Sequence, residues 1–163
     1  MSTTVPSQIS PDGPTISNAT IHDAPTIKSI VDASYSKYIE RIGKPPAPMT
    51  VDYIQVIKSQ PVLVLRNDTT ILGCVILSTD SGCEPTNIEN IFVDPAAQGQ
   101  GYGRVLLGGV EKRARAKDRS ALTLYTNAKM YENLGLYAKL GFKETESRTE
   151  DGYERVYFRK DLG

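Results

Sequence analysis

The run QGQGYGR at 98–104 places three glycines in seven positions, shortly after the strand-like IENIFV and just before VLLGGVEKRARAK. No other stretch constrains the chain as tightly. Backbone without Cβ atoms can come close to a ligand and adopt left-handed dihedrals at little steric cost. The first amides of a helix are unpaired, and they favour an anion. A strand, a glycine-rich turn and a helix in this order therefore predict a phosphate cradle.

Apolar periodicity arranges the other elements around that loop. A first strand is expected over 15–21, followed by Asp23 as a helix N-cap with Pro25 in the first turn. Helical spacing puts Ile27, Ile30, Val31, Ser34, Tyr35 and Tyr38 on one face, and Gly43 stops this helix. KPPAP blocks a restart until MTVDYIQVIKSQ. PVLVLRND and TTILGCVILST read as a hairpin, and IENIFVDP as a strand ended by Pro95. A helix is expected over 102–117 with Val105, Leu106, Val110 and Ala114 inward, then a strand in SALTLYT. A short helix in MYENLGLYAKLG stops at Gly141, and two strands around Asp151 and Gly152 close the chain. The order β-α-α-β-β-β-α-β-α-β-β is that of one mixed α/β domain over 15–163, preceded by a Ser-, Thr-, Pro- and Gly-containing tail at 1–14 that reads as disordered.

Composition narrows the partners. The chain has 163 residues with 39% hydrophobic content, enough for one core. Lys+Arg and Asp+Glu balance at 19 each, which argues against a sequence-independent grip on nucleic acid or an anionic membrane. EKRARAKDR at 111–119 reads as a solvated helix face. No run is long enough to span a membrane, and the N-terminus lacks the basic start and apolar stretch of a signal peptide. Cys74 in an apolar run and Cys83 in a polar loop form neither a disulfide framework nor a metal site, so a reducing, cytoplasmic setting and no metal are expected.

Three glycine-rich patterns compete for the loop. A P-loop needs GxxxxGK[ST], and no Lys-Ser or Lys-Thr follows these glycines. A dinucleotide fingerprint needs GxGxxG, whereas the spacing here is GxGxG. The third, Q/R-x-x-G-x-G/A, is matched by Gln98, Gly99, Gln100, Gly101, Tyr102 and Gly103. With VDPAAQGQGYGRVLL and, further on, LGLYAKLGFKE, the chain resembles the GNAT superfamily of acyl-CoA-dependent N-acetyltransferases over roughly residues 15–162. YSKYIERIGKPPAPM followed by DY is similar to a group of small members with an R-x-G-x-x-P-x-P-M segment.

The resemblance implies a mostly antiparallel sheet with splayed middle strands, flanked by helices. It implies acetyl-CoA as cosubstrate, with its pyrophosphate on the amides from Gln98 to Arg104 and its pantetheine along the main chain of Ile91, Phe92 and Val93. Transfer to an amine needs a neutral nucleophile, a donor to the developing oxyanion and a proton for the departing thiolate. Tyr137 matches the family tyrosine beside the coenzyme sulfur, and a phenol is protonated at neutral pH. Many members carry asparagine where Met130 stands, so Asn127 and Asn133 are the substitute candidates for a pantetheine contact. Glu89 is the candidate base, and alternation groups it with Ile91 on one face, opposite Ile88 and Asn90. His22 reads as a turn or cap residue.

An acceptor pocket is expected from Tyr35, Tyr38, Arg41, Met49, Tyr53 and Tyr153, with Arg41 suited to a carboxylate or phosphate. The expected reaction is acetyl transfer to a primary amine of a small molecule or amino acid by direct attack in a ternary complex. A non-catalytic acyl-CoA-binding module and a protein or peptide N-acetyltransferase are the alternatives. A homodimer is compatible with this reading.

Overall fold

The computed structural model describes residues 13–79 and 85–163. Most of the stretch read as a tail lies outside the described residues, and so does Cys83. Among the described residues, seven strands form one sheet: β1 (Thr15–Asn18), β2 (Val62–Asn67), β3 (Thr70–Leu77), β4 (Thr86–Val93), β5 (Ala121–Asn127), β6 (Lys143–Glu150) and β7 (Tyr153–Asp161). Their order is β1-β2-β3-β4-β5-β7-β6. Every neighbouring pair is antiparallel except β4 with β5.

Among the described residues, five helices cover the sheet: α1 (Ala24–Tyr35), α2 (Tyr38–Ile42), α3 (Tyr53–Ser59), α4 (Tyr102–Ala116) and α5 (Tyr131–Lys139). Period-two alternation divides the core between the two faces. Val62, Val64, Cys74 and Ile76 pack with Ile27, Val31 and Tyr53 from α1 and α3. Leu63, Leu65, Val75 and Leu77 pack with Leu106, Val110 and Tyr137 from α4 and α5. Both faces are covered, so β2 and β3 read as continuous apolar runs. No helix among the described residues is long and apolar enough to cross a membrane.

Several boundaries differ from expectation. Strand β1 ends at Asn18, and a 3-10 turn at Ile21–Asp23 takes the remainder. Asp23 stands before α1 but does not cap it; its carboxylate accepts from the Thr20 N–H at 2.8 Å and from Arg66 at 2.5 Å. That pairing with Arg66 holds the Asp23 carboxyl below the usual carboxylate range. The first helix divides at Ser36 and Lys37, and Tyr35 and Tyr38 on either side are both buried, with ring centroids 6.2 Å apart. In α4 the buried stripe is Leu106, Leu107, Val110 and Ala114, and Val105 is 46% exposed. Leu106, Val110 and Ala114 face inward as expected, and Leu107 takes the place expected of Val105.

Two irregularities in the middle of the sheet shape the site. Ile76 pairs with Asn90 and Leu77 with Ile88, so Glu89 is an extra residue in β4 without a partner on β3. This bulge breaks the alternation expected of IENIFV. Ile88 packs in the core beneath α4, where Ile91 and Val93 also lean, while Phe92 belongs to the opposite face. The second irregularity is a slit. Strands β4 and β5 pair only at Thr86 with Leu122, Asn87 with Thr123 and Ile88 with Leu124, and then diverge.

Close packing beside the slit rests on Gly73. A Cβ there stands 2.9 Å from Leu106 Cδ1 and 2.9 Å from the Phe92 carbonyl oxygen, and the backbone atom cannot yield cheaply. Gly73→Ala is expected to destabilise the protein by about 1–3 kcal/mol. Gly108, inside α4, has nothing within 4 Å of the same position. Gly108→Ala is expected to stabilise by roughly 0.5–1 kcal/mol. Urea midpoints moving in opposite directions check the pair; a neutral Gly73→Ala refutes the close-packing account.

Candidate active site

The glycine loop is built in three steps. After β4, Pro95–Ala97 form a 3-10 turn, and the Asp94 carboxylate accepts from the Ala96 N–H at 3.0 Å. Gly99 and Gly101 then take φ of 85° and 82°, a region where other residues are strained. A Cβ at either meets nothing within 4 Å, so their dihedrals, not crowding by the protein, call for glycine. Helix α4 follows with Gly101 at its N-cap and no side-chain hydrogen bond there, leaving its first amides open.

A cavity of about 750 Å³ extends from this loop. Its lining includes Gln98, Gly99, Gly101, Tyr102, Gly103 and Arg104. Gln100 is not part of it; its side-chain oxygen accepts from the Tyr102 hydroxyl at 3.2 Å. Ile91, Phe92 and Val93 form the strand wall. The Val93 carbonyl accepts from Gln98 Nε2 at 3.2 Å, which places that edge of β4 away from β3. Ile91, two residues earlier, presents its main chain on the same edge.

A second cavity, of about 160 Å³, shares Tyr35, Ile91, Asn133 and Tyr137 with the first. The Pro-rich segment after α2 supplies one wall through Pro46, Ala47 and Pro48. Main-chain oxygens of that segment fix two phenols: Tyr53 donates to the Pro48 carbonyl at 2.6 Å and Tyr153 to that of Pro45 at 2.8 Å. Tyr35 donates to Asn90 Oδ1 at 2.8 Å. Burial pushes the Tyr35 and Tyr53 phenols well above the ordinary range, so both are neutral donors at any moderate pH.

Glu89 is exposed and lines this smaller cavity. Ser78 Oγ donates to Glu89 Oε2 at 2.9 Å, Asn87 Nδ2 donates to Ser78 Oγ at 2.8 Å, and Thr123 Oγ1 donates to Asn87 Oδ1 at 2.8 Å. The bulged carboxylate is thus tied to the last rungs before the slit opens. Tyr137 stands where the cavities meet. It is buried, its ring packs 5.9 Å from that of Phe142 and 5.7 Å from that of Phe158, and its hydroxyl makes no hydrogen bond among the described residues. Burial pushes the phenol up to about 12, which keeps its proton in place.

A glycine cradle at a helix start, a sheet slit beside it and a buried phenol between two cavities are the features against which likeness can be judged. Residues 58–144 match the acetyltransferase (GNAT) domain family. The chain belongs to the GNAT family. An IAA acetyltransferase from Azospirillum brasilense is 37% identical over 82 residues, which cover 50% of this chain and 54% of that protein. The chain therefore spans about half the length of that curated relative. A GNAT-family protein from Desulfovibrio desulfuricans superposes with a TM-score of 0.76 at 16% identity, over 93% of this chain and 100% of that one, a likeness of fold. A GNAT acetyltransferase from Elizabethkingia anophelis, solved with acetyl-CoA bound, gives a TM-score of 0.67 at 25% identity over 92% of this chain and 99% of that one.

Within the GNAT fold, the expected acceptor residues separate. Tyr35, Tyr53 and Tyr153 line the smaller cavity, whereas Tyr38 lines the larger one. Arg41 and Met49 line neither. Arg41 donates to the Lys129 carbonyl and to Glu132 Oε1, each at 2.9 Å, and lies about 5 Å from the Tyr38 and Tyr131 rings, clasping α2 to the start of α5. Met49 packs among the residues beside α1, and its carbonyl accepts from Lys28 Nζ at 3.0 Å. Asn133 reaches both cavities and donates to Thr126 Oγ1 at 3.3 Å. Asn127 reaches only the smaller one, and its Oδ1 accepts from the Lys129 N–H at 2.9 Å. His22 lies in the exposed turn before α1, away from both cavities.

Sequence reasoning missed several polar residues of the smaller cavity, Asn90 and Arg155 among them. An amide next to Glu89, inside the otherwise apolar IENIFV, was a signal for the first. The period-two grouping of Tyr153, Arg155 and Tyr157 was a signal for the second. Among the described residues, no group of three or more His, Cys, Asp or Glu side chains is placed to hold a metal ion.

Proposed function

We propose that this protein transfers the acetyl group of acetyl-CoA to a primary amine of a small molecule, by direct attack in a ternary complex. One domain over residues 15–163 carries the reaction, in the cytoplasm. The observation that carries this reading is the joining of two cavities at Tyr137, one holding the glycine loop and the other Glu89.

The residues fit the coenzyme. Left-handed Gly99 and Gly101 with open space beside them, followed by the free amides of α4, suit a pyrophosphate. Gln98, Gly99, Gly101, Tyr102, Gly103 and Arg104 would hold it, and Arg104 adds a charge-assisted contact. The edge of β4 at Ile91 and Val93, which pairs with no strand there among the described residues, suits the pantetheine amides in the manner of an added strand. The bound coenzyme supplies an activated thioester. Glu89 takes the proton of the acceptor ammonium through water, and Tyr137 Oη donates a proton to the leaving sulfur. The size of the acceptor cavity favours a small molecule, since a cavity on the order of 150 Å³ holds a benzene-sized guest.

Glu89→Gln tests the base. An exposed carboxylate competes with solvent for the proton, so its loss falls short of the roughly 10²-fold or more typical of a sequestered base. The expected result is about a tenfold drop in acceptor kcat/KM with acetyl-CoA affinity unchanged. Steady-state assays of thiol release with calorimetry for the coenzyme check both quantities. An unaltered kcat/KM transfers the proton to solvent, and coenzyme binding without turnover on any amine or peptide favours a binding module.

A further inference from the structure

Resting on the acetyltransferase reading above, we propose that Arg155 is a specificity-determining residue and that the acceptor amine carries a carboxylate seated on its guanidinium. Among the described residues, Arg155 and Glu89 bring the one guanidinium and the one carboxylate to the lining of the smaller cavity. One anion and one cation in a single small cavity match a zwitterion, with the ammonium toward Glu89 and the carboxylate toward Arg155. That is the pattern of an amino acid.

The surroundings of Arg155 fit a guanidinium held ready for such a ligand. Its side chain is only 12% exposed. It lies 4.4 Å from the Tyr125 ring centroid and 5.7 Å from that of Tyr153, an aromatic setting that suits arginine far better than lysine. Strand pairing supplies the setting, since Tyr125 of β5 stands opposite Tyr157 of β7. Tyr153 is fixed in turn by its bond to the Pro45 carbonyl.

The protein's own anions leave much of the guanidinium unused. Both ion pairs fall on Nη1, to Glu150 at 3.4 Å and to Asp151 at 3.9 Å. Glu150 is shared with Arg148 and the Tyr157 hydroxyl, and Asp151 is largely exposed. Nε and Nη2 make no hydrogen bond to a described residue, and neither is sealed within the protein. A planar fork with two free donors matches a carboxylate. Glu150 and Asp151 beside it oppose a second negative charge, which favours a carboxylate over a phosphate dianion.

The test compares each common amino acid with its own carboxamide as acceptor, read as coenzyme A release in wild type, Arg155→Gln and Arg155→Lys. For the preferred side chain, wild type should favour the acid by about 10- to 10²-fold in kcat/KM, the scale of a hydrogen bond to a charged group. Arg155→Gln should bring that ratio near one, and Arg155→Lys should leave it in between. A merely structural role would slow both compounds together and preserve the ratio. Equal use of acid and amide by wild type overturns the proposal, as does a ratio that survives Arg155→Gln. Calorimetry of the same pairs into protein saturated with coenzyme A separates the two readings. Acid-selective binding lost in Arg155→Gln, with no turnover on any amine, supports the subsite and refutes the transferase. Absence of acid selectivity in both binding and turnover overturns the subsite, and turnover on uncharged amines then leaves the transferase standing.

Discussion

Tyr137→Phe is expected to lower kcat roughly 10²-fold or more while leaving acetyl-CoA affinity almost unchanged. The ring is wedged between Phe142 and Phe158, so the substitution preserves the packing and removes only an oxygen. That oxygen has no hydrogen-bond partner among the described residues, and it belongs to a side chain lining both cavities. Its loss therefore leaves no orphaned partner in the protein. A single neutral hydrogen bond contributes about 1 kcal/mol net to coenzyme binding. A positioned general acid contributes 10²-fold or more to rate. The separation of kcat from affinity is the mark of an interaction made mainly in the transition state. Full kcat in the variant would reduce Tyr137 to packing, and equal loss of rate and affinity would make it a binding residue.

Gly101→Val is expected to weaken acetyl-CoA binding about 10²-fold or more, measured by calorimetry. Two effects add. At φ of 82° a β-branched residue is a conformational outlier, costing on the order of 1–3 kcal/mol in strain. Its methyls also fill the space into which Cβ would project, which no protein atom occupies within 4 Å. Gly101→Asn separates the effects, because asparagine tolerates the left-handed region and still adds bulk. The fold itself should persist in both variants, since the side chain meets no neighbour. Unchanged affinity in Gly101→Val would remove the glycine loop from the coenzyme site.

The sheet and the loop were legible because their signals are local. The continuous apolar runs in PVLVLR and TTILGCVIL, the glycine spacing at 98–104 and the Asp151–Gly152 turn each report on a few adjacent residues. The acceptor side was less legible because it depends on contacts distant in sequence. Arg41 looked like a pocket residue from its place near Tyr35 and Tyr38, but Glu132 and the Lys129 carbonyl draw it to the start of α5. Arg155 reaches the cavity only because β5 and β7 are neighbours, a pairing that strand order in the chain does not reveal. The bulge at Glu89 was hidden as well, since one unpaired residue in β4 reverses the parity of its neighbours without altering composition.

The short seam between β4 and β5 also bears on how the molecule opens. Strands β1 to β4 come from residues 15–93 and β5 to β7 from 121–161, and within each half most neighbours in the sheet are neighbours in the chain. Three residue pairs join the halves edge to edge. Amide protons beside this seam should therefore exchange through partial opening at lower free energy than those in the middle of either half. A ligand lying along the seam bonds to one half and rests against the other, acting as a temporary eighth strand. Its binding energy is then shared with the cohesion of the sheet, so occupancy raises the resistance of the whole fold to heat and proteolysis.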